Sequence, residues 1–126
     1  MLNFSMVASI QFESLSGNIE FKQILKSNKV MSNLFTIYYR KLDQELQNNK
    51  KVILSCVSAK KLGNAVKRNR IRRRLKMATR KAIEEMKTSF NKKMKYAIFA
   101  KAKVYDVDFQ IMVDELKKKF QEVKYH

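Results

Sequence analysis

Lysine and arginine are the residues with which this chain can do the most chemistry, and they are concentrated. No Asp or Glu occurs from Leu46 through Ile83, a span that holds 13 Lys and Arg. That window carries +13 of the formal net charge of +17. The flanks nearly balance, with five bases against four acids in Met1–Glu45 and ten against seven in Glu84–His126. The densest part is Ala59–Lys81, AKKLGNAVKRNRIRRRLKMATRK. Without interspersed acids the run cannot neutralise itself through i,i+4 pairs. It is rich in arginine, which grips phosphate with two parallel hydrogen bonds. Like charges at this density repel one another, so the run points to a polyanionic partner: nucleic acid first, an anionic membrane surface second. Asn64 and Asn69 add hydrogen-bonding capacity without charge, and Asn64 also suits a helix start.

Other chemistries find little to work with. The only histidine is His126, so a histidine base or triad is not expected. The one cysteine, Cys56, lies in an apolar run and is expected to be a small core residue rather than a nucleophile. With a single cysteine there is no internal disulfide, which fits a reducing compartment. Asp106, Asp108, Asp114 and Glu115 could be imagined around magnesium, but capping and helix solvation explain them better. Two glycines rule out a glycine-rich phosphate loop. By its side chains the protein is not a self-sufficient enzyme.

These residues need elements to position them. At 126 residues one domain is expected. Met1–Asn3 lacks the basic start of a signal peptide, and Met1–Ser16 reads as a weakly ordered extension in which Met6 is an alternative initiator. No apolar run approaches the length of a membrane span. Asn18 caps a short helix over Ile19–Ser27, with Phe21, Ile24 and Leu25 on one face. Leu34–Arg40 reads as a strand with Phe35, Ile37 and Tyr39 on one face and Leu34, Thr36 and Tyr38 on the other. Leu42–Lys51 is a polar connection, and Val52–Ser58 is a strand buried on both faces. After a loop at Ala59–Asn64, freed by Gly63, a long helix runs from Ala65 to Phe90 on the stripe Ile71, Leu75, Ala78, Ala82, Ile83, Met86 and Phe90. Its cations are expected to project together. Tyr96–Ala102 is a further strand, parallel to Val52–Ser58 because a helix joins them. Asp106 caps a last helix, Val107–Val123, on the stripe Phe109, Met112, Val113, Leu116 and Phe120. Phe21 and Leu25 with Ile37 and Tyr39 could line a groove where single-stranded RNA stacks beside a basic rim.

Lys60-Lys61-Leu62-Gly63-Asn64-Ala65-Val66-Lys67-Arg68-Asn69-Arg70-Ile71-Arg72-Arg73 resembles the RNR signature of the protein component of bacterial ribonuclease P. Glu20-Phe21 and Leu25-Lys26 resemble that family's first helix, and the likeness covers about Asn18 to Val123. The resemblance implies a single α+β domain over residues 17–126, an α/β sandwich. Its order would be helix, three strands, long basic helix, strand, helix, with a four-stranded mixed sheet. The unread strand would lie near Val30–Ser32. It implies that Lys60, Lys61, Asn64, Arg68, Asn69, Arg70, Arg72, Arg73 and Lys76 bind the catalytic RNA. Phe21, Leu25, Ile37 and Tyr39 would hold the 5′ leader of precursor tRNA. The family's endoribonuclease removes that leader by hydrolysing one phosphodiester. Magnesium held by the RNA subunit and substrate, not by a protein site, supplies the chemistry. The resemblance further implies a cytoplasmic protein, monomeric in a 1:1 complex with the RNA and without a membrane partner. Two other readings compete: a ribosomal or ribosome-assembly protein without enzymatic role, and a membrane-surface binder.

Overall fold

Three runs rich in β-branched and aromatic residues form the middle of a sheet. They are Phe35–Lys41 (β3), Lys51–Val57 (β4) and Met94–Ala100 (β5). The structure, a computed structural model, describes residues 11–15, 17–43 and 51–123. Strands Gln11–Glu13 (β1) and Asn28–Met31 (β2) complete a five-stranded sheet in the order β1-β4-β5-β3-β2. β1 and β5 both run parallel to β4, and β3 runs antiparallel to β5 and to β2. The helices are Gly17–Leu25 (α1), Ala65–Met86 (α2) and Phe109–Gln121 (α3). Short 3-10 turns occupy Lys60–Leu62, Lys87–Ser89 and Ala102–Tyr105.

The mixed α+β domain and the parallel β4–β5 pair match expectation, and β2 supplies the strand sought near Val30–Ser32. The sheet has five strands rather than four. The fifth is β1, inside the stretch expected to be weakly ordered, and Leu15 just after it is buried. Three residues, QFE, are too short to carry a readable alternation, so pairing with the edge of β4 decides their conformation. Residues 1–10 and 16, and most of the polar connection before β4 (44–50), lie outside the described residues.

α2 and α3 cover one face of the sheet. The stripe Ile71, Leu75, Ala78, Ala82, Ile83, Met86 and Phe90 is buried there as its spacing predicts, packed on Phe35, Ile37, Tyr39, Val52, Leu54, Tyr96 and Ile98. α2 stops at Met86, earlier than expected, where Lys87 takes a left-handed φ of 51°. Phe90 then turns back into the core, 5.2 Å from the Tyr96 ring and edge-on to Phe120 at 5.0 Å. α3 begins later than expected. Asp108, not Asp106, is its cap, accepting from the N–H groups of Gln110 and Ile111.

α1 covers only part of the other face. Ile24 is fully buried there with Leu15, Leu42, Ile53 and Ala97. The Leu15 N–H donates to Ser55 Oγ at 2.9 Å, and Glu20 meets Lys95 at 3.7 Å, which ties α1 to β4 and β5. A nine-residue helix cannot roof a five-stranded sheet. A row of side chains is therefore left uncapped, with Thr36 opposite Phe99 and Phe99 opposite Val57.

The two faces give a direct test. Ile37 is fully buried under α2, so Ile37→Ala should lower the unfolding free energy by about 3 kcal/mol. Tyr38→Ala, on the partly open face, should cost clearly less. Urea unfolding midpoints of the two variants check this.

Candidate nucleic-acid interface

α2 starts where the expected cap places it. Asn64 has an extended backbone, and its side chain accepts from the Lys67 N–H at 2.9 Å, satisfying one of the orphan donors of the first turn. Gly63 precedes it at φ 139°, a conformation side chains rarely adopt. A Cβ there would also sit 2.7 Å from Lys67 Cδ. The turn Lys60–Leu62 is thereby joined tightly to the helix, with Lys60 and Lys61 exposed.

The arginines of α2 do not all project together. Burial of the Ile71–Leu75–Ala78–Ala82 stripe sets the helix rotation, and the remaining positions fall into two rows. Asn69, Arg72, Arg73, Lys76 and Arg80 lie at steps of three, one, three and four. They line one wall of a cleft of about 650 Å³. Phe12, Phe21 and β4 residues Ser55–Val57 contribute to the rest of its lining. Arg72 donates to Asn69 Oδ1, and the Arg80 guanidinium lies 4.6 Å over the Phe12 ring. Among the described residues no carboxylate pairs with Arg72, Arg73, Lys76 or Arg80. Their charge stays available to a polyanion.

The second row is Lys67, Arg70 and Arg74. Arg74 spends its guanidinium on the carbonyls of Val104 and Val107, and Arg70 Nε donates to the Tyr105 carbonyl at 3.1 Å. Arg74 is thus a strut that fastens the segment after β5 to α2. Arg68 falls between the rows. It is half-buried, its Nε is sealed from water without a partner among the described residues, and its carbonyl accepts from Ser58 Oγ at 3.0 Å. Replacing it would disturb packing as well as charge.

A second cleft, of about 450 Å³, lies on the face that α1 leaves open. Thr36, Tyr38, Phe99, Lys61, Leu62 and Lys101 are among its lining residues. Tyr38 and Phe99 meet edge to face, 5.4 Å between centroids. The groove expected at Phe21, Leu25, Ile37 and Tyr39 needs correction here. Ile37 and Tyr39 point into the core beneath α2, on the opposite face from α1. Leu25 is 43% exposed at the end of α1 and lines neither cleft. Phe21 alone faces the α1 side, packed against Ile24 and its neighbours and lining the larger cleft. The aromatic residues of the open face are Tyr38 and Phe99, one register step away. Adjacent strand residues point to opposite faces, and both faces of β3 are apolar, so the pattern carried no phase. The close spacing of aromatics in Tyr38-Tyr39 and Tyr96–Phe99 was the available signal.

Cys56, expected in the core, is only partly buried: it packs against the core from the wall of the larger cleft. Burial pushes its thiol up to about 12, and the Thr79 hydroxyl and the Lys76 charge only partly offset this. At neutral pH it is a thiol, not the thiolate a nucleophile needs. Of the carboxylates considered for magnesium, three are otherwise engaged. Asp108 caps α3, Asp114 accepts from Gln110 at 2.9 Å, and Glu115 accepts from Ser32 Oγ at 2.8 Å. Among the described residues no group of three or more His, Cys, Asp or Glu could hold a metal, and no helix is long and apolar enough to cross a membrane.

Comparison with known proteins converges. The family model described as Ribonuclease P matches residues 11–124. The ribonuclease P protein component of Carboxydothermus hydrogenoformans is 32% identical over 104 residues, which are 81% of this chain and 83% of that one. That of Bacillus cereus is 33% identical over 104 residues, 82% of this chain and 81% of that one. In fold the chain is similar to the Staphylococcus aureus ribonuclease P protein, with a TM-score of 0.67 at 22% identity, covering 86% of this chain and 93% of that one. For the Thermotoga maritima protein the TM-score is 0.66 at 21% identity, covering 90% and 99%.

The two arginine rows should separate experimentally. Arg73→Ala should leave the thermal midpoint in place, weaken binding to an RNA homopolymer, and reduce the salt dependence of that binding by about one ion. Arg74→Ala should instead destabilise the fold by about 2 kcal/mol through two lost charge-assisted hydrogen bonds. Thermal melts and salt titrations of both variants distinguish the roles.

Proposed function

The chain belongs to the ribonuclease P protein family, the protein subunit of the ribonucleoprotein endoribonuclease, and on that premise we propose that it binds two RNA segments on two adjoining surfaces. The catalytic RNA takes the face of α2 that presents Asn69, Arg72, Arg73 and Lys76, together with Lys60 and Lys61. The 5′ leader of precursor tRNA takes the open sheet face, where Tyr38 and Phe99 offer ring surface and Thr36, Lys61 and Lys101 stand around them. An unpaired leader has free base faces to stack and a phosphate backbone to neutralise, and this cleft has groups for both.

The observation that carries the proposal is the position of Lys61. It lines the same cleft as Tyr38 and Phe99, and it belongs to the turn that leads directly into α2. A substrate strand in the cleft and a catalytic RNA on the helix would meet there. The protein then contributes affinity for precursor over product, because only the precursor has a leader. Hydrolysis itself is assigned to the RNA. Among the described residues no group of three or more His, Cys, Asp or Glu stands together, which supports leaving magnesium to the RNA and substrate. One protein per RNA, acting in the cytoplasm, completes the proposal. Family membership sets aside the ribosomal reading.

Reconstitution tests this. With a bacterial ribonuclease P RNA at low magnesium, the protein should accelerate leader removal from a precursor tRNA relative to RNA alone. The gain should shrink when the leader is trimmed to a nucleotide or two. The double variant Tyr38→Ala, Phe99→Ala should lose about tenfold of the leader-dependent gain, seen in KM, while still binding the catalytic RNA. Undiminished stimulation in that variant would refute the groove assignment.

A further inference from the structure

We propose that Tyr105, which lies outside the basic signature, is an RNA-contacting residue that stacks an unpaired base of the catalytic RNA and holds Arg70 in place for it. This rests on the reading that α2 binds that RNA, and it extends the contact from the row of Asn69, Arg72, Arg73 and Lys76 to the adjoining row of Lys67 and Arg70.

The segment after β5 has no charge pattern of its own to suggest binding. Its placement gives it one. Arg74 and Arg70, one helical turn apart, donate to the carbonyls of Val104, Val107 and Tyr105, so the 3-10 turn Ala102–Tyr105 is fastened along the second row of α2. Val104 fills the core beneath that turn and is fully buried. Tyr105, next to it, turns the other way and is 36% exposed. The Arg70 guanidinium lies 4.8 Å over the Tyr105 ring centroid, and Lys67 Nζ lies 5.3 Å from it.

The Tyr105 ring lies at the surface beside two cations. It gains cation–π attraction from two cations, and it presents its remaining surface to solvent on the basic side of the molecule. A guanidinium plane and a phenol ring held together are the two side-chain surfaces on which unpaired RNA bases stack. Lys67 stands beside them with an ammonium suited to the phosphate of the same nucleotide. The ligand chemistry is therefore an unstacked nucleotide, base on the Tyr105–Arg70 surface and phosphate toward Lys67. A double-stranded segment would offer only its backbone and would gain nothing from the ring. Along the chain the surface ends at once, since Asp106 and Asp108 follow and Asp108 is occupied in capping α3.

The chain contains no tryptophan, so Tyr105→Trp introduces a single reporter at this position. Titration of that variant with a bacterial ribonuclease P RNA transcript should quench tryptophan emission, with affinity near that of the parent chain. Tyr105→Leu should weaken binding about tenfold, and Tyr105→Phe, which keeps the ring, should restore it. Circular dichroism melts confirm that each variant folds. Binding of Tyr105→Leu equal to the parent, or tight binding of Tyr105→Trp without quenching, would overturn the proposal while leaving the α2 face intact. A parent chain that binds no such RNA would overturn the α2 reading, and this one with it.

Discussion

The burial of one apolar stripe of α2 against the sheet is the interaction on which the rest depends. Ile71, Leu75, Ala78, Ala82 and Ile83 are all essentially inaccessible to water. Each large side chain among them contributes about 1.5–3 kcal/mol by leaving water, an upper estimate because the unfolded chain already hides some surface. Opposing this is repulsion among the cations of an acid-free stretch. Like-charge pairs one turn apart on a helix cost only about 0.2–0.5 kcal/mol each, and salt weakens them further. Burial therefore wins by a wide margin. The protein can keep an unneutralised basic face because its helix is anchored by contacts to which charge is irrelevant. The same burial fixes the rotation of α2, and rotation alone decides which cations face solvent and which face the segment after β5.

That division explains why identical residue types hold different jobs. Arg72, Arg73 and Arg74 are consecutive, yet the first two line an open basic cleft and the third is tied to main-chain carbonyls of residues 104 and 107. Successive helix positions are about 100° apart, so three in a row cannot share a face. The sequence shows the run and its period but not the partner of Arg74, which lies some thirty residues away and offers backbone rather than a recognisable side chain. Arg68 is a related case. Its charge reads as exposed from the pattern, while in the structure it is half-buried with its Nε sealed from water.

Helices were more legible than strands for a physical reason. A surface helix alternates polar and apolar faces with a period that survives local noise, and α2 and α3 bury the stripes their spacing predicts. β3 and β5 lie inside a sheet with packing on both sides, so both phases of their alternation are apolar and a one-residue shift leaves the pattern unchanged. The groove expected at Ile37 and Tyr39 failed on this point. What selects the face is the stretch of chain that packs on it. Ile24 and Leu15 claim Ile53, Ala97 and Leu42, which leaves Phe35, Ile37 and Tyr39 to α2 and α3. β1 was illegible because three residues pair with an edge and carry no periodicity.

The shortness of α1 bears on the function proposed. Tyr38 and Phe99 are only partly buried against the cluster around Ile24. Nine residues reach only as far as Leu25, and an aromatic pair stays accessible beside a basic turn. The turn in turn depends on Gly63, whose positive φ would strain any residue with a side chain. Stability is forgone on the open face and recovered on the face under α2. A protein of this size can sustain that asymmetry because α2 and α3 enclose one continuous core. In the function proposed, the two faces answer to two different RNAs. The covered one sets the geometry of the helix that grips the catalytic RNA, and the uncovered one is free to distinguish a substrate that still has its leader.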